Sequence, residues 1–113
     1  MYIMKLNEQH LKTIGNIINT FHFKLNANEW FSEYQYMYIL NDTNNVNNEY
    51  RVLVDIDDNC VIFQYIDNEC DEIIDLHTYN IATKFCTTNS DLVENCIMLI
   101  VSILHYYMYN IHW

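Results

Sequence analysis

The chain has 113 residues, of which 51% are hydrophobic and 18% charged, and fifteen acidic residues against five Lys and Arg give a net charge of −10. A chain of this size and apolar content is expected to fold as one compact domain, residues 1–113, and not to stay disordered. Phosphates and anionic membranes are contacted by Lys and Arg, so the charge argues against direct binding to nucleic acid or to such membranes.

The start of the chain predicts an amphipathic helix. Asn7 is a suitable N-cap, and Leu6 and Leu11 have the spacing of a hydrophobic staple around it. From Leu11 to Leu25 apolar residues recur at intervals of three and four, which is the spacing of one helical face. Gly15, the only glycine, lies inside this helix, where its cost relative to Ala indicates a close packing contact.

Four strands are predicted after this helix, because apolar and polar residues alternate between polar turns. The predicted strands are residues 33–40, 50–57, 60–67 and 70–78. Residues 79–89 fit either a short strand or an irregular segment.

The last part of the chain predicts a long helix. Asp91 and Glu94 form an acidic version of a capping box, and the helix should continue to about Tyr109. Its residues are apolar nearly all round, so it should lie between layers or pair with a second copy, and a homodimer is one candidate. The expected fold is α+β, with an N-terminal helix, a four-stranded antiparallel meander and an apolar C-terminal helix, and both helices on one sheet face.

Eight of the fifteen acidic residues lie between residues 52 and 77, where two short connections join the predicted strands. If both connections are two-residue turns, alternation places the carboxylates together on the sheet face away from the helices. This face would carry an array of aspartates around an apolar strip, at spacings similar to those of nucleic-acid phosphates. The array consists of Asp55, Asp57, Asp71 and Asp75, and the strip of Ile62 and Ile66.

Catalytic and metal-binding motifs are weak in this sequence. Residues 55–59 (DIDDN) imitate the start of a calcium loop, but its glycine and final carboxylate positions hold Cys60 and Ile66. A row of Asp57, Cys60 and His77 would suit a thiol nucleophile or zinc, although the negative surroundings disfavour the thiolate. We therefore expect no metal and no cofactor, and a protein that is not an enzyme, with a small hydrolase or metal-dependent enzyme as the third-ranked reading.

The leading functional hypothesis is a small acidic binding protein or inhibitor that occupies a basic, nucleic-acid-binding surface of a host or defence protein. In composition it resembles phage and viral anti-restriction and anti-CRISPR proteins, without a shared motif. The alternative is a viral or immunity-type protein–protein interaction module that binds through Tyr36 and Tyr38 or through the C-terminal helix, without nucleic-acid mimicry. Four cysteines without a CxxC pair favour an intracellular, cytoplasmic location.

Overall fold

Within the residues that the structure describes, the chain forms two helices and one five-stranded antiparallel sheet. The structure is a computed structural model that describes residues 4–20, 25–42, 45–84 and 86–110, with side chains as far as Tyr107. The strands pair in sequence order, so the sheet is a meander with the first and last strands at its edges. The elements are α1 (Glu8–Thr20), β1 (Leu25–Trp30), β2 (Gln35–Asn41), β3 (Asn48–Asp55), β4 (Cys60–Asp67), β5 (Glu72–Asn80) and α2 (Asn89–Asn110).

The α+β class is confirmed, but the prediction of four strands is wrong because β1 was missed. This strand occupies residues that were expected to end the first helix, and five of its six residues are exposed at the sheet edge. An exposed edge strand lacks the apolar alternation by which a strand is recognised. Its last residue, Trp30, makes an edge-to-face contact with Tyr36 on β2 at 5.1 Å between ring centroids. The predicted helical residues 21–24 lie outside the described residues.

Helix α1 begins as the sequence predicts. The Asn7 side chain accepts the His10 amide at 2.9 Å, and the His10 Nδ1 accepts the Asn7 amide at 3.1 Å. These reciprocal bonds satisfy two amides that the helix itself leaves unpaired, as in a capping box. Leu6 and Leu11, the two staple residues, are both buried in the core.

The close contact expected at Gly15 is also confirmed. A Cβ at this position would lie 3.2 Å from Cε1 of Tyr38, which is tighter than ordinary van der Waals contact. The Tyr38 ring is held in place because its hydroxyl donates a 2.6 Å hydrogen bond to the Leu11 carbonyl. Because Gly15 has no side chain, α1 can approach the Tyr38 ring on β2 closely at this position.

Both helices pack on one face of the sheet, here called the inner face, as predicted. Buried side chains of α1 and α2 and of the three central strands form a single core cluster. The strand residues of this cluster include Tyr36, Tyr38, Leu40, Tyr50, Val52, Val54, Val61, Phe63 and Tyr65. The opposite face, the outer face, contributes none of its described residues to the cluster.

Helix α2 begins at Asn89, two residues earlier than predicted, and a different pair of residues caps it. Thr88 Oγ1 accepts the Asp91 amide at 3.2 Å, and Asp91 Oδ2 accepts the Thr88 amide at 3.1 Å. Asp91 is thus the acidic partner of a capping box, and Glu94, expected to fill that role, lies one turn further on.

The expectation that α2 is apolar all round is not supported. Its fully buried residues follow one stripe, whereas the opposite side contains exposed polar residues beside Met98. The buried stripe includes Leu92, Cys96, Ile100 and Leu104, and the exposed side Glu94, Met98, Ser102 and His105. No helix in the described part of the chain is long and apolar enough to cross a membrane.

The two hairpin turns on either side of β4 each contain four residues, and the prediction of two-residue turns is wrong. Asp55 pairs with Cys60 at the first turn, and Asp67 pairs with Glu72 at the second. Register in a hairpin is set by turn length, so each additional turn residue changes which side chains lie opposite each other.

Both turns have the same internal structure, which explains their length. The Asp55 carboxylate accepts the amides of Asp57 and Asp58 at 2.9 Å each, and the Asp67 carboxylate accepts the Glu69 amide at 2.9 Å. The fourth turn residue is left-handed in both cases, with φ of 51° at Asn59 and 57° at Asp71. Asn and Asp tolerate this conformation better than other residues with side chains, so an aspartate followed four residues later by Asn or Asp forms the turn.

A β-bulge in β5 decides which of its side chains face the helices. Tyr65 on β4 pairs with Asp75, but the next β4 residue, Ile66, pairs with Ile73, so Ile74 is an additional residue on β5. One inserted residue reverses the alternation of the strand beyond it.

Beyond the bulge, the inner and outer sides of β5 are the reverse of those predicted. Asp75, His77 and Tyr79 lie opposite inner-face residues of β4, whereas Leu76 and Thr78 lie on the outer face. The predicted placement of Asp75 on the outer face was therefore wrong, and Leu76 is exposed on that face instead.

Candidate protein-binding surface

The four aspartates expected to form one array lie in different settings. Asp55 is only 9% exposed and stabilises its own turn. Asp57 lies in that turn and forms a 2.9 Å ion pair with Lys5. Asp71 lies in the β4–β5 turn at the opposite end of the sheet, and Asp75 is on the inner face. The predicted array is wrong, because the four-residue turns and the bulge separate residues that the assumed register had aligned.

The other predicted contact residues divide into two pairs. Ile62 and Ile66 lie on the outer face as expected, Ile62 partly exposed and Ile66 buried between its neighbours. Tyr36 and Tyr38 are buried in the core, so their side chains offer no surface for a partner. The Tyr36 hydroxyl is used inside the protein, where it accepts a 2.8 Å hydrogen bond from the Asn28 side chain.

The outer face has an apolar centre that its own neighbours cover only in part. We call this set of side chains the outer-face patch. Leu53 at its centre is 2% exposed, but Ile73 and Leu76 on β5 are 50% and 54% exposed. Burying such residues against a partner is favourable, since it removes apolar surface from water. The outer-face patch consists of Met37, Ile39, Leu53, Ile62, Ile66, Ile73 and Leu76.

The charge beside the outer-face patch is one-sided. Residues 60–83, which contain β4 and β5 and their turn, carry five carboxylates and neither Lys nor Arg. Arg51, the only arginine, lies on the outer face but donates a 2.8 Å bond to Glu49. The half of the sheet nearest β5 is therefore negative, with an apolar surface beside it.

Glu49 is fixed by two donors at the edge of this face. Besides Arg51, the Asn68 side-chain amide donates a hydrogen bond to its carboxylate. Burial alone raises the pKa of Glu49, but the hydrogen bonds from Arg51 and Asn68 outweigh it and hold the pKa below its usual value. Glu49 therefore stays ionised, and its charge is paired with that of Arg51 within the sheet.

Asp75 joins β5 to the end of α2 on the inner face. Its Oδ2 accepts a 3.1 Å hydrogen bond from the Tyr107 hydroxyl, and its Oδ1 lies 2.7 Å from Nε2 of His77. The Tyr107 ring stacks on Phe63 at 4.1 Å between centroids. Burial, together with the bond to Asp75, raises the pKa of Tyr107, so the hydroxyl keeps its proton and remains a donor.

The structure does not form the predicted row of carboxylate, thiol and imidazole. Cys60 is on the outer face and buried, whereas His77 is on the inner face. Burial raises the pKa of the Cys60 thiol, and the charges of Asp55 and Asp58 add to the effect, so the thiolate is disfavoured. No three His, Cys, Asp or Glu residues in the described ranges are grouped to hold a metal ion.

A second candidate surface lies between α1 and α2. It is a cleft of about 330 Å³ with Val93, Ile97 and Met98 among its apolar lining and Glu94 at its side. It contains one carboxylate, whereas the β4–β5 hairpin has five, so its charge selects a partner less strongly than the surface at β5.

Comparisons with known proteins identify no family for this chain. No protein-family model, curated protein or solved structure matches it. The function is therefore inferred from the charges and exposed surfaces of the chain itself.

Proposed function

We propose that this chain is a small acidic binding protein that occupies a basic surface of another protein. The observation that carries the proposal is the outer-face patch, open on its β5 side next to a hairpin with five carboxylates and no Lys or Arg. An apolar centre supplies contact area, and the surrounding charge speeds the encounter and selects a partner of opposite sign.

The proposed partner surface is one that ordinarily binds nucleic acid, since such surfaces concentrate Lys and Arg. The partner would be a host or defence protein, and occupying its surface would inhibit it by competition with nucleic acid. This proposal differs from phosphate mimicry by an aspartate array, because the contact centre is apolar and the carboxylates of the β4–β5 hairpin lie beside it, in the turn and on the inner face. The homodimer through α2 remains an untested prediction.

The partner can be found and the proposal tested with a cross-linking residue in place of Leu76. A photoreactive phenylalanine analogue at this position captures the partner, and the purified pair is then studied in a salt series. Raising NaCl from about 50 mM to about 500 mM should weaken binding about tenfold or more, because the charges across the interface become screened. Leu76→Ser and Ile73→Ser should also weaken binding.

Met98→Ser is the matched control, since Met98 is 62% exposed but lies on α2 away from the outer face. We expect it to bind like the wild type, and we expect nucleic acid to compete with the chain for the partner. Affinity that is independent of salt, or that falls with Met98→Ser and not with Leu76→Ser, would contradict the proposal.

A further inference from the structure

The outer edge of β5 has backbone groups that no described strand uses. Strand β5 pairs with β4 on one side and is the last strand of the sheet. The ladder continues past its end, where the Ile81 amide donates to the Asn59 carbonyl at 2.9 Å. Backbone groups alternate in direction along a strand, so Tyr79 and His77 point to β4, as Ile81 does, and Thr78 points away.

The hydrogen bonding of Leu76 supports this assignment. Its amide donates to the Asp75 side chain at 3.0 Å, as an amide directed away from β4 can. By the same alternation, the amides and carbonyls of Leu76, Thr78 and Asn80 form the free edge of the sheet. The Asp75 side chain pairs with the first amide of this edge, and no described strand pairs with the amides of Thr78 and Asn80, so these two can donate to an added strand.

The residues on either side of this edge determine which strand fits. On the outer face, Leu76 and Ile73 extend the outer-face patch to the edge, so an added strand would bury them with apolar side chains on that face. On the inner face, the carboxylate of Asp75 lies beside the edge and is partly exposed. Successive side chains of a strand point to opposite faces, so the fitting segment alternates apolar and basic residues.

We propose that the partner adds an extended basic segment to the edge of β5, with its apolar side chains on the outer-face patch and its Lys or Arg side chains towards Asp75. This inference rests on the proposed function and specifies how the partner is bound. Main-chain hydrogen bonds from the added strand supply affinity, and the alternate side chains supply specificity. A second copy of this chain is a poorer occupant, since its own β5 hairpin carries the same five carboxylates.

The test uses the full chain and a synthetic peptide of alternating Lys and Val, with N-methyl groups along one edge so that it cannot stack on itself. The blocked peptide has the same sequence but N-methyl groups on both edges. The first peptide should bind, and the blocked peptide should bind about tenfold more weakly or worse, because backbone hydrogen bonds are lost. Amide exchange at Thr78 and Asn80 should slow only with the first peptide.

Variants of Thr78 test the same hydrogen bonds by changing the protein instead of the peptide. Thr78→Pro removes the outward amide but no bond to β4, so the edge strand should tolerate it, whereas Thr78→Val keeps the amide. We expect Thr78→Pro to weaken peptide binding about tenfold and Thr78→Val to change it less than twofold. If Thr78→Pro does not fold, as judged by circular dichroism, the blocked peptide on the wild-type chain decides the question.

The outcomes separate the two proposals. Equal, salt-sensitive binding of both peptides, unchanged by Thr78→Pro, would overturn strand addition and leave the acidic binding protein standing. Binding of neither peptide at low salt would overturn both. Sedimentation velocity of the chain alone is a third measurement, and a dimer that Thr78→Pro abolishes would show that the occupant of the edge is a second copy, contrary to the proposal.

Discussion

The Tyr107 hydroxyl donates a 3.1 Å hydrogen bond to the Asp75 carboxylate and so connects the last described turn of α2 side chains to the edge strand β5. The same carboxylate accepts the Leu76 amide, at the start of the free edge. One aspartate therefore fixes the position of the helix and protects part of the strand edge.

Tyr107→Phe should keep the ring stacked on Phe63 but lose the bond to Asp75. We expect the free energy of unfolding to fall by about 1 kcal/mol, since the bond is to a charged acceptor that is partly exposed to water. Urea denaturation measures the change. Tyr106→Phe is the control, because Tyr106 is an exposed neighbour on the same helix, and equal losses in the two variants would show that the Asp75 bond has no special role.

Asp55 and Asp57 are two residues apart but should respond differently to substitution by Ala. Asp55→Ala removes the acceptor of two turn amides and of the Gln35 side chain, and should cost about 2 kcal/mol of stability. Asp57→Ala breaks only the exposed ion pair with Lys5 and should leave the unfolding midpoint near that of the wild type. Comparable losses in the two variants would argue against a structural role for Asp55.

Gly15→Ala should destabilise the protein despite the better helix propensity of Ala. The gain in propensity is about 1 kcal/mol, but a Cβ at 3.2 Å from Tyr38 meets a ring that its hydrogen bond to Leu11 prevents from shifting. In a Tyr38→Phe background the ring loses this bond and can move, so the same substitution should cost less. A double-mutant cycle by urea unfolding measures the coupling, and additive effects would count against it.

Acid should weaken the start of α2 through Asp91. Hydrogen bonds from Thr87 and Thr88 hold the pKa of Asp91 below its usual range. A folded-state pKa below the unfolded one means that the stabilisation is complete above about pH 4 and is lost as the pH falls through the folded value. The protection of the amides in the first turn of α2 against exchange, expressed relative to the unfolded chain, should fall at low pH, and Asp91→Asn should remove most of that pH dependence.

The sequence predicts those parts of the fold that depend on local pattern. The bounds of β4, residues 60–67, and the capping residue Asn7 agree with the structure because apolar alternation and side-chain capping act over a few residues. The face of each β5 residue beyond the bulge depends instead on one inserted residue, because turns that are each two residues longer than predicted shift the register by an even number and keep the faces. An insertion of one residue inverts every side chain beyond it, so a correct strand assignment still gave the wrong surface.

A signal for the correct turns was present in the sequence. Asp55 and Asn59, and likewise Asp67 and Asp71, are four residues apart, which matches a turn with an aspartate acceptor at its start and a left-handed residue at its end. The bulge at Ile74 has no comparable signal in the sequence, because two consecutive isoleucines fit either a regular strand or a bulged one. The outward position of Leu76, which lies beyond the bulge, could therefore be read only from the structure.

The strand order of the sheet, identical to the order in the chain, also bears on how the molecule assembles. Each strand pairs with the one that precedes it in the chain, so the entropy cost of closing each loop is small and strand pairing should be fast. Helix α2 follows the sheet in the chain, and until it emerges from the ribosome the Phe63 ring lacks its stacking contact with Tyr107. Release of the chain before α2 is complete would leave a formed sheet with an open apolar side, which is a substrate for chaperones and proteases.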